Sequence, residues 1–429
     1  MPETSFRKGA DSMRKILSLL LWSLILSITG SSLSGSSMDS VRYSPAPEET
    51  FSSLCSEEEE EFPSDSPAKE SPFYADYELL WDILKNTYPY LPYLENQGID
   101  VDGVYARYAK TLGSVTSEEA FYVMLQDMFW VLGHFAHLVV VSPETYQTDY
   151  SFYLSDASLQ AASENATEEE ESPGSFAPVV YIQYYPDCHA LYLKIDSFSH
   201  ELVERDRDIV LDALSQYPET EHLIFDITAN KGGSDYYWIK DLVAPLGSHY
   251  EFSWRNFFKS SPVLEQYYPG IGSPVSELTD APDWVEELGL DQYYITSWDV
   301  PMIAYENKDG SEDDGSVSCA EAGATESPYR SIRKWVLIGP NVYSASDKFA
   351  CFCKATGWAT LVGTSTSGDG LGFTPILFLL PDSGLYIRFS PAAGEGLDGS
   401  LNAATGTKPD IPCLKGTSPL TRCLQEIRK

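Results

Sequence analysis

The stretch Trp335-Val-Leu-Ile-Gly-Pro-Asn-Val-Tyr-Ser-Ala-Ser-Asp347 contains a strand, a sharp turn and the start of a helix. Its apolar beginning, Trp335–Ile338, predicts a buried strand, and Lys348–Lys354 predicts a helix. A serine between them presents its hydroxyl at a helix N-terminus, where free backbone N–H groups can stabilise an oxyanion. Ser344 is therefore a candidate nucleophile. Alternatively, Ser344 or Ser346 only caps the helix.

Strands and helices alternate on both sides of this stretch, which predicts an α/β core of short parallel strands joined by helical crossovers. The predicted strands are Ala190–Ile195, His222–Ile227, Trp335–Ile338, Thr360–Gly363, Ile376–Leu380 and Leu385–Phe389. The predicted helices of this core are Glu201–Gln216, Tyr236–Leu246 and Ser346–Ala355.

Changes in the sequence pattern divide the chain into segments. Apolar residues at helical spacing from Phe73, and a capping box at Thr116–Glu119, predict a small helical domain that ends with a strand, Leu138–Val141. The predicted segments are a helical domain at 73–141, a polar insert at 142–178, an α/β core at 179–412 with an irregular insert at 247–329, and a tail at 413–429.

The N-terminus has the layout of a secretory signal. Arg14 and Lys15 precede a mostly apolar run, Ile16–Ile28, which is short for a membrane span of about 20 residues. We therefore expect a signal peptide at 1–30 and an acidic Ser/Pro/Glu linker at 31–72. The protein is expected to be exported, either free outside the cell or associated with the cell envelope through an uncleaved anchor.

The composition excludes one large class of partner. The 429 residues include 64 acidic and 28 basic ones, which gives a formal charge of −36. Nucleic-acid binding needs clustered Lys and Arg, so nucleic acid is not an expected partner. The seven cysteines are an odd number, so at least one thiol is unpaired within the chain or pairs between chains. Cys413 and Cys423 are close enough in sequence to form a small disulfide loop, but packed free thiols are the favoured interpretation.

Two further segments carry candidate site residues. Asp226-Ile-Thr-Ala-Asn-Lys-Gly-Gly233 follows a predicted strand, and its paired glycines allow a backbone to approach a ligand closely, as an oxyanion hole requires. An ordinary strand-to-helix turn is the alternative. His134 and His137 lie between the second predicted helix and a strand, where either could serve as a general base. Without a third ligand they do not indicate a metal site, and no cofactor is predicted.

The order of these motifs resembles that of the tail-specific, or C-terminal-processing, serine peptidases, including their tricorn-like branch. The quoted matches, in chain order, are the Gly-His region at 133–137, Leu193-Lys-Ile-Asp-Ser-Phe198, Asp226–Gly233, Ser344-Ala-Ser-Asp347, Gly357-Trp-Ala-Thr-Leu-Val-Gly363 and Gly406-Thr-Lys-Pro-Asp410. The resemblance implies a crotonase-like core of mixed sheet and crossover helices, preceded by a small helical domain.

The resemblance also implies roles for individual residues. Ser344 would be the nucleophile, and His137 aligns best with the histidine of the tricorn-like branch, although His134 stays open. The N–H groups of Ala345 and of Gly232 or Gly233 would form the oxyanion hole. Asn230 and Asp226 would support that turn. Peptides or unfolded proteins would be the substrates.

The sequence departs from the family pattern at three places. Asp369 stands where the bacterial branch has its catalytic lysine, which excludes a Ser-Lys dyad there. Thr228 replaces the arginine of the oxyanion motif. Asn402-Ala-Ala404 stands where the tricorn-like branch has a glutamate, and Glu395 is the nearest alternative acid.

These observations leave three functional hypotheses. The first is an exported serine peptidase that works through a Ser-His acyl-enzyme mechanism. The second is a catalytically degenerate family member that binds peptides or apolar ligands. The third is a surface interaction protein in which the aromatic-rich insert at 247–329 contacts the partner. The oligomeric state does not follow from the sequence.

Overall fold

The computed structural model describes residues 67–141, 180–199, 202–203, 205–247, 249–300 and 327–429. The predicted signal peptide and the polar insert lie outside the described residues, as does nearly all of the predicted linker. All described residues belong to one unit, Pro63–Lys429. Among them, no helix is both long and apolar enough to cross a membrane.

The strands, in chain order, are β1 Val139–Val141, β2 Val180–Tyr185, β3 Ala190–Ile195, β4 His222–Asp226, β5 Tyr250–Phe258, β6 Ser273–Pro274, β7 Gln292–Val300, β8 Arg333–Ile338, β9 Thr360–Gly363, β10 Ile376–Leu379, β11 Tyr386–Phe389, β12 Ala392–Gly394 and β13 Ile411–Pro412.

The helices are α1 Tyr74–Thr87, α2 Leu91–Asn96, α3 Val101–Leu112, α4 Glu118–Val131, α5 Arg205–Gln216, α6 Asp235–Tyr237, α7 Ala244–Leu246, α8 Pro262–Tyr267, α9 Asp283–Glu287, α10 Ala345–Thr356, α11 Asn402–Thr405 and α12 Pro419–Ile427. A π-helical segment, Trp238–Val243, connects α6 to α7. Short 3-10 turns lie at Pro67–Glu70, Phe135–His137 and Val275–Glu277.

The central sheet has six strands in the order β13-β9-β8-β4-β3-β2. β2 is antiparallel to β3, and the other neighbours are parallel. Side chains of α5 and α10 pack on one face, and α12 covers the other. Because both faces are covered, β4 is buried along its whole length, in agreement with the apolar residues Leu223–Phe225 at its centre. The expected α/β fold with a mixed sheet and crossover helices is confirmed.

The helical region shares its core with a distant hairpin. α1, α3 and α4 pack around Tyr77, Leu84 and Phe121, and β10 and β11 contribute to the same cluster. β1 pairs antiparallel with β11, and Val140 lies opposite Ile387. The 3-10 turn at Phe135–His137 is therefore held between a helix and a strand that is itself fixed by the hairpin.

The expectation of an irregular insert at 247–329 is wrong for the part that the structure describes. β5 and β7 pair over nine residues each, from Tyr250 opposite Val300 to Phe258 opposite Gln292. β12 and β6 complete a four-stranded sheet. The inward side chains Phe252 and Trp254 are buried against the core around α10. Strand formation depends on these long-range contacts, which local composition does not report.

Candidate active site

Ser344 lies at the junction of β8 and α10, in a turn that we call the nucleophile turn, residues 339–345. Its backbone has φ 58° and ψ −129°, outside the conformations that a serine ordinarily adopts. Ser344 holds the N-cap position, but its side chain makes no capping hydrogen bond. The Ser346 hydroxyl instead donates to the Asn230 and Tyr343 carbonyls, at 2.8 Å each. The Ser344 hydroxyl is therefore available for other contacts.

The structure brings His137, and not His134, to this hydroxyl. His137 Nε2 lies 3.1 Å from Ser344 Oγ. His137 is buried in the 3-10 turn, with only 7 % of its surface exposed. His134 is exposed, and its Nδ1 lies 3.3 Å from the Leu138 carbonyl oxygen. Only His137 is thus placed to exchange a proton with Ser344.

Asp369 is the acid that contacts this histidine. Its Oδ2 lies 2.6 Å from His137 Nδ1, and the carboxylate is buried. The sequence pattern shows this position only as a departure from the lysine of the bacterial branch and does not identify it as an acid of the site. The signal that could have found it is an acidic residue between two glycines, Gly368 and Gly370, in a predicted core segment. Ser344, His137 and Asp369 form a hydrogen-bonded chain.

These three residues share a strained backbone. Among the described residues, six that are not glycine have a positive φ, and three of these are Ser344 at 58°, His137 at 61° and Asp369 at 58°. His134 and Ala136, in the turn that carries His137, are two of the others. Such conformations cost on the order of 1–3 kcal/mol each and cluster at functional sites. The fold therefore holds all three side chains in conformations that their local sequence does not favour.

Asp369 is positioned by the loop that carries it, residues 366–371, which we call the acid loop. Buried Asp347 of α10 accepts hydrogen bonds from the Thr366 hydroxyl, the Thr407 hydroxyl at 2.7 Å and the Gly370 N–H at 3.2 Å. Burial raises the pKa of Asp347 above its usual value, and these hydrogen bonds oppose the rise. Asp347 thus joins the acid loop to the helix that follows Ser344.

Asn402 stands where the related branch has a glutamate, and it also holds the acid loop. Its Oδ1 accepts from the N–H groups of Gly370, at 3.0 Å, and Leu371, at 3.3 Å. Its Nδ2 donates to Asp347 at 2.9 Å. Glu395, the alternative acid suggested by the sequence, pairs with Arg255, whose Nη2 donates to Oε1 at 2.9 Å. The described geometry therefore points to Asp369, and not Glu395, as the acid beside His137.

The turn that contains Gly232 and Gly233 lies against the nucleophile turn. A Cβ built on Gly232 would lie 2.9 Å from Ser344 Cβ and 3.1 Å from the Ala345 nitrogen, so only glycine fits there. The N–H of Gly232 itself donates to Asn230 Oδ1 at 2.9 Å. Of the two candidate glycines, Gly232 is thus already engaged.

Gly233 has the more suitable orientation. The Phe198 N–H donates to the Gly232 carbonyl, and the Ser234 N–H donates to the Phe198 carbonyl. In this parallel bridge the peptide groups on either side of Gly233 bind Phe198. The N–H of Gly233 therefore points to the other side. Together with the Ala345 N–H at the start of α10, it is the better-placed donor for an oxyanion.

The remaining sequence candidates shape the turn after β4. Asp226 Oδ1 accepts from the backbone N–H of Thr228 at 2.9 Å and from its hydroxyl at 2.6 Å. Tyr192 donates to Asp226 Oδ2 at 2.7 Å. Asn230 is buried and donates to the Ile195 carbonyl at 3.2 Å. These residues close the loop on which the glycines lie.

Among the described residues, no group of three or more His, Cys, Asp or Glu side chains is arranged to hold a metal ion. Five described cysteines carry free thiols, including Cys413 and Cys423. The small loop considered from the sequence is therefore not closed by a disulfide in this structure.

Comparisons with known proteins agree with this architecture. The model of peptidase family S41 matches residues 189–413, just over half of the chain. The model of the tricorn protease C1 domain matches residues 73–130. The chain belongs to peptidase family S41. No curated protein matches the sequence.

Solved structures show a similar fold. A candidate peptidase from Parabacteroides merdae has a TM-score of 0.50 and 16 % identity, with 84 % of this chain and 97 % of that chain covered. Mature CPAF has a TM-score of 0.46 and 14 % identity over 85 % and 97 % of the two chains. A lipoprotein from Streptococcus agalactiae has a TM-score of 0.44 and 13 % identity over 86 % and 98 %. At these identities the likeness concerns the fold alone.

Proposed function

We propose that the protein is an exported serine peptidase that cleaves peptide bonds through an acyl-enzyme on Ser344. His137 is the general base and Asp369 orients it. The observation that carries the proposal is the continuous chain of contacts from Ser344 Oγ to His137 Nε2, at 3.1 Å, and from His137 Nδ1 to Asp369 Oδ2, at 2.6 Å. Family membership supplies the reaction class, and this geometry supports the assignment of roles.

The contact with Asp369 fixes the tautomer of the base. An ionised carboxylate only accepts hydrogen bonds, so the imidazole proton is held on Nδ1. The lone pair of Nε2 then faces the Ser344 hydroxyl. As Ser344 Oγ bonds to the peptide carbonyl carbon, its proton moves to Nε2, and Asp369 stabilises the imidazolium that forms.

The negative charge on the carbonyl oxygen would be stabilised by the N–H groups of Gly233 and Ala345. The bridge to Phe198 holds the Gly233 backbone, and the Ala345 N–H has the positive end of the α10 dipole behind it. Collapse of the tetrahedral intermediate breaks the C–N bond, and the imidazolium gives its proton to the leaving amine. Water then attacks the acyl-enzyme with the same histidine as base, which releases the acid product and restores Ser344.

Two features of the sequence support the proposed substrates and location. The formal charge of −36 favours neutral or basic peptide segments over acidic ones, through long-range attraction and repulsion. The charged and apolar layout of residues 1–30 supports export, free or envelope-associated. Detection of the protein in the envelope or medium fraction of its source cells would test export. Retention in the cytosolic fraction would refute it.

The competing hypothesis is a degenerate member that binds peptides without cleaving them. The absence of the lysine and of the glutamate, and the replacement of the arginine by Thr228, favour this hypothesis. Since Asp369 gives His137 a carboxylate partner, a Ser-His mechanism needs neither the lysine nor the glutamate here. This observation favours the enzyme over the binding module.

The discriminating experiment is labelling with a fluorophosphonate probe, with the adduct mapped by peptide mass. We expect an adduct at Ser344 that is lost in Ser344→Ala and in His137→Ala. His134→Ala is the matched control, because this histidine lies in the same turn but is exposed and does not contact Ser344. A folded wild-type protein that forms no adduct would favour the binding module.

A further inference from the structure

Tyr343 contacts all three members of the proposed triad. It is peptide-bonded to Ser344, and its hydroxyl donates to Asp369 Oδ2 at 2.8 Å. The same hydroxyl accepts the backbone N–H of His137 at 3.0 Å and lies 3.2 Å from His137 Nδ1. The phenol ring lies 4.8 Å from the imidazole, centroid to centroid. The catalytic geometry proposed above does not use this residue.

The hydrogen bond between the His137 backbone and the Tyr343 hydroxyl helps to hold a strained turn. His137 has φ 61°, and its turn also contains Ala136 at 49°. Such a turn keeps its conformation only where surrounding contacts hold it. The hydrogen bond from the His137 N–H to Tyr343 is one such contact, and it links the histidine turn directly to the nucleophile turn.

The contact with Asp369 bears on charge. Asp369 Oδ2 accepts from Tyr343 and from the Ser390 hydroxyl at 3.1 Å, in addition to His137. Burial, and then the charge of Asp369, raise the pKa of Tyr343 well above its usual value, so the phenol stays protonated and remains a donor. The charge of Asp369 also acts on Tyr88 and Tyr90, which are buried. Their pKa values are raised first by burial and then by its charge, so both are neutral as well.

We propose that Tyr343 is a positioning residue that sets both the geometry of His137 and the effective charge of Asp369. This inference rests on the proposed serine peptidase mechanism. By donating to Asp369, the phenol limits how strongly the carboxylate stabilises the imidazolium. By accepting from the His137 backbone, it holds Nε2 in line with Ser344. A phenylalanine would fill the same space and do neither.

The test is Tyr343→Phe, measured with a peptide substrate that the wild type cleaves. We expect kcat to fall about 10- to 100-fold with KM within about twofold, because the lost contacts position the base and not the substrate. The acid limb of the kcat/KM profile should move to higher pH by about 0.5–1 unit, because the imidazolium is better stabilised once Asp369 loses a donor.

A matched control is Tyr108→Phe. Tyr108 is a buried tyrosine whose hydroxyl also donates to an aspartate, Asp127, but in the helical region. The Tyr108→Phe variant should have the same pH profile of kcat/KM as the wild type. Replacement of Tyr343 by 3-fluorotyrosine keeps the ring and strengthens the donor, so its acid limb should move to lower pH. This second variant covers the case in which Tyr343→Phe does not fold.

A double-mutant cycle with Asp369→Asn separates coupling from general packing. In the Asp369→Asn background the contact with the carboxylate is already lost, while the contact with the His137 backbone remains. Adding Tyr343→Phe to Asp369→Asn should therefore lower kcat by a smaller factor than it does in the wild type. Independent, multiplicative losses with an unmoved acid limb would overturn the inference while leaving the peptidase assignment intact.

The role of Tyr343 can also be tested without turnover. A failure of this inference can then be distinguished from a failure of the proposed function. In ¹⁵N-histidine NMR of the full chain, we expect the Nδ1-bound proton of His137 to be protected from exchange in the wild type. Tyr343→Phe should weaken that protection. Loss of probe labelling in the wild type would refute the proposed function, whereas identical NMR signals in the two proteins would refute the role of Tyr343.

Discussion

The nucleophile turn and the acid loop bring side chains to the same site by different means. Ser344 follows a strand and begins a helix, so adjacent residues fix its position. Asp369 lies in a loop held by Asp347, Thr407 and Asn402, and the last of these is far along the chain from Asp347. A residue placed by neighbouring elements can be recognised from its surrounding pattern. A residue placed by distant hydrogen bonds cannot.

The largest effect is expected from breaking the contact between Asp369 of the acid loop and His137. Asp369→Asn keeps the size of the side chain but presents an amide that can donate to His137 Nδ1, which favours the wrong tautomer. We expect kcat to fall about 10⁴-fold, as in Ser-His-Asp enzymes generally, with little change in folding. Steady-state kinetics and thermal unfolding would check this. Activity within tenfold of wild type would show that His137 does not depend on Asp369.

The second-largest effect is expected from a substitution that removes a support of the acid loop and leaves the nucleophile turn intact. Asp347→Ala removes the acceptor of the Thr366 and Thr407 hydroxyls and of Asn402 Nδ2. The Gly370 N–H loses one of its two acceptors and keeps Asn402 Oδ1. We expect a loss of about 3–5 kcal/mol in the free energy of unfolding, measured in urea, because several buried groups lose partners at once. Asp347→Asn is the milder control. Lower stability with undiminished kcat would mean that the acid loop does not need Asp347 to place Asp369.

A third prediction concerns the other side of the nucleophile turn. In Gly232→Ala the new methyl would lie 2.8 Å from the Tyr343 carbonyl oxygen and 3.1 Å from the Ala345 nitrogen. We expect kcat to fall about 10²- to 10³-fold, because the oxyanion donor is displaced or obstructed. Gly289→Ala is the matched control. It also has a positive φ, but its Cβ would meet no atom within 4 Å. Equal losses in the two variants would point to backbone strain alone.

The smallest effect is expected at the end of β8 that is far from Ser344. It tests whether this end of the strand matters only for stability. Lys334 of β8 is buried, and its Nζ donates to the Arg330 and Ile332 carbonyls. Burial lowers the pKa of Lys334 from 10.5 to about 8. Between these two values the unfolded chain binds the proton and the folded chain does not. The free energy of unfolding should therefore rise with pH across this window.

Lys334→Met should lack this rise and keep the activity of the wild type. Chemical denaturation at pH 7.5 and pH 10 would measure the difference between the two proteins at each pH. A difference in the free energy of unfolding that is the same at both pH values would contradict the lowered pKa of Lys334. A change in kcat would contradict the separation of this end of the strand from the site.

Much of the fold was predictable because its signals are local. The strand at Trp335–Ile338, the helix that follows it and the alternation on both sides each depend on apolar runs and helical spacing. The strands of the 247–329 insert were missed. β5 and β7 bury aromatic side chains against elements distant in sequence, among them α10 and Leu371 of the acid loop, and pattern alone does not show those contacts.

The same division runs through the candidate site. The sequence by itself singled out Ser344, the paired glycines and two possible histidines, because strand-to-turn patterns and glycine pairs are properties of adjacent residues. Tertiary structure brought His137, and not His134, to Ser344, and it bound the Gly232 N–H to Asn230. It also placed Asp369 and Tyr343 beside His137. Those choices depend on which side chains meet across the fold, and hydrogen bonds between residues hundreds of positions apart leave no mark in the local sequence.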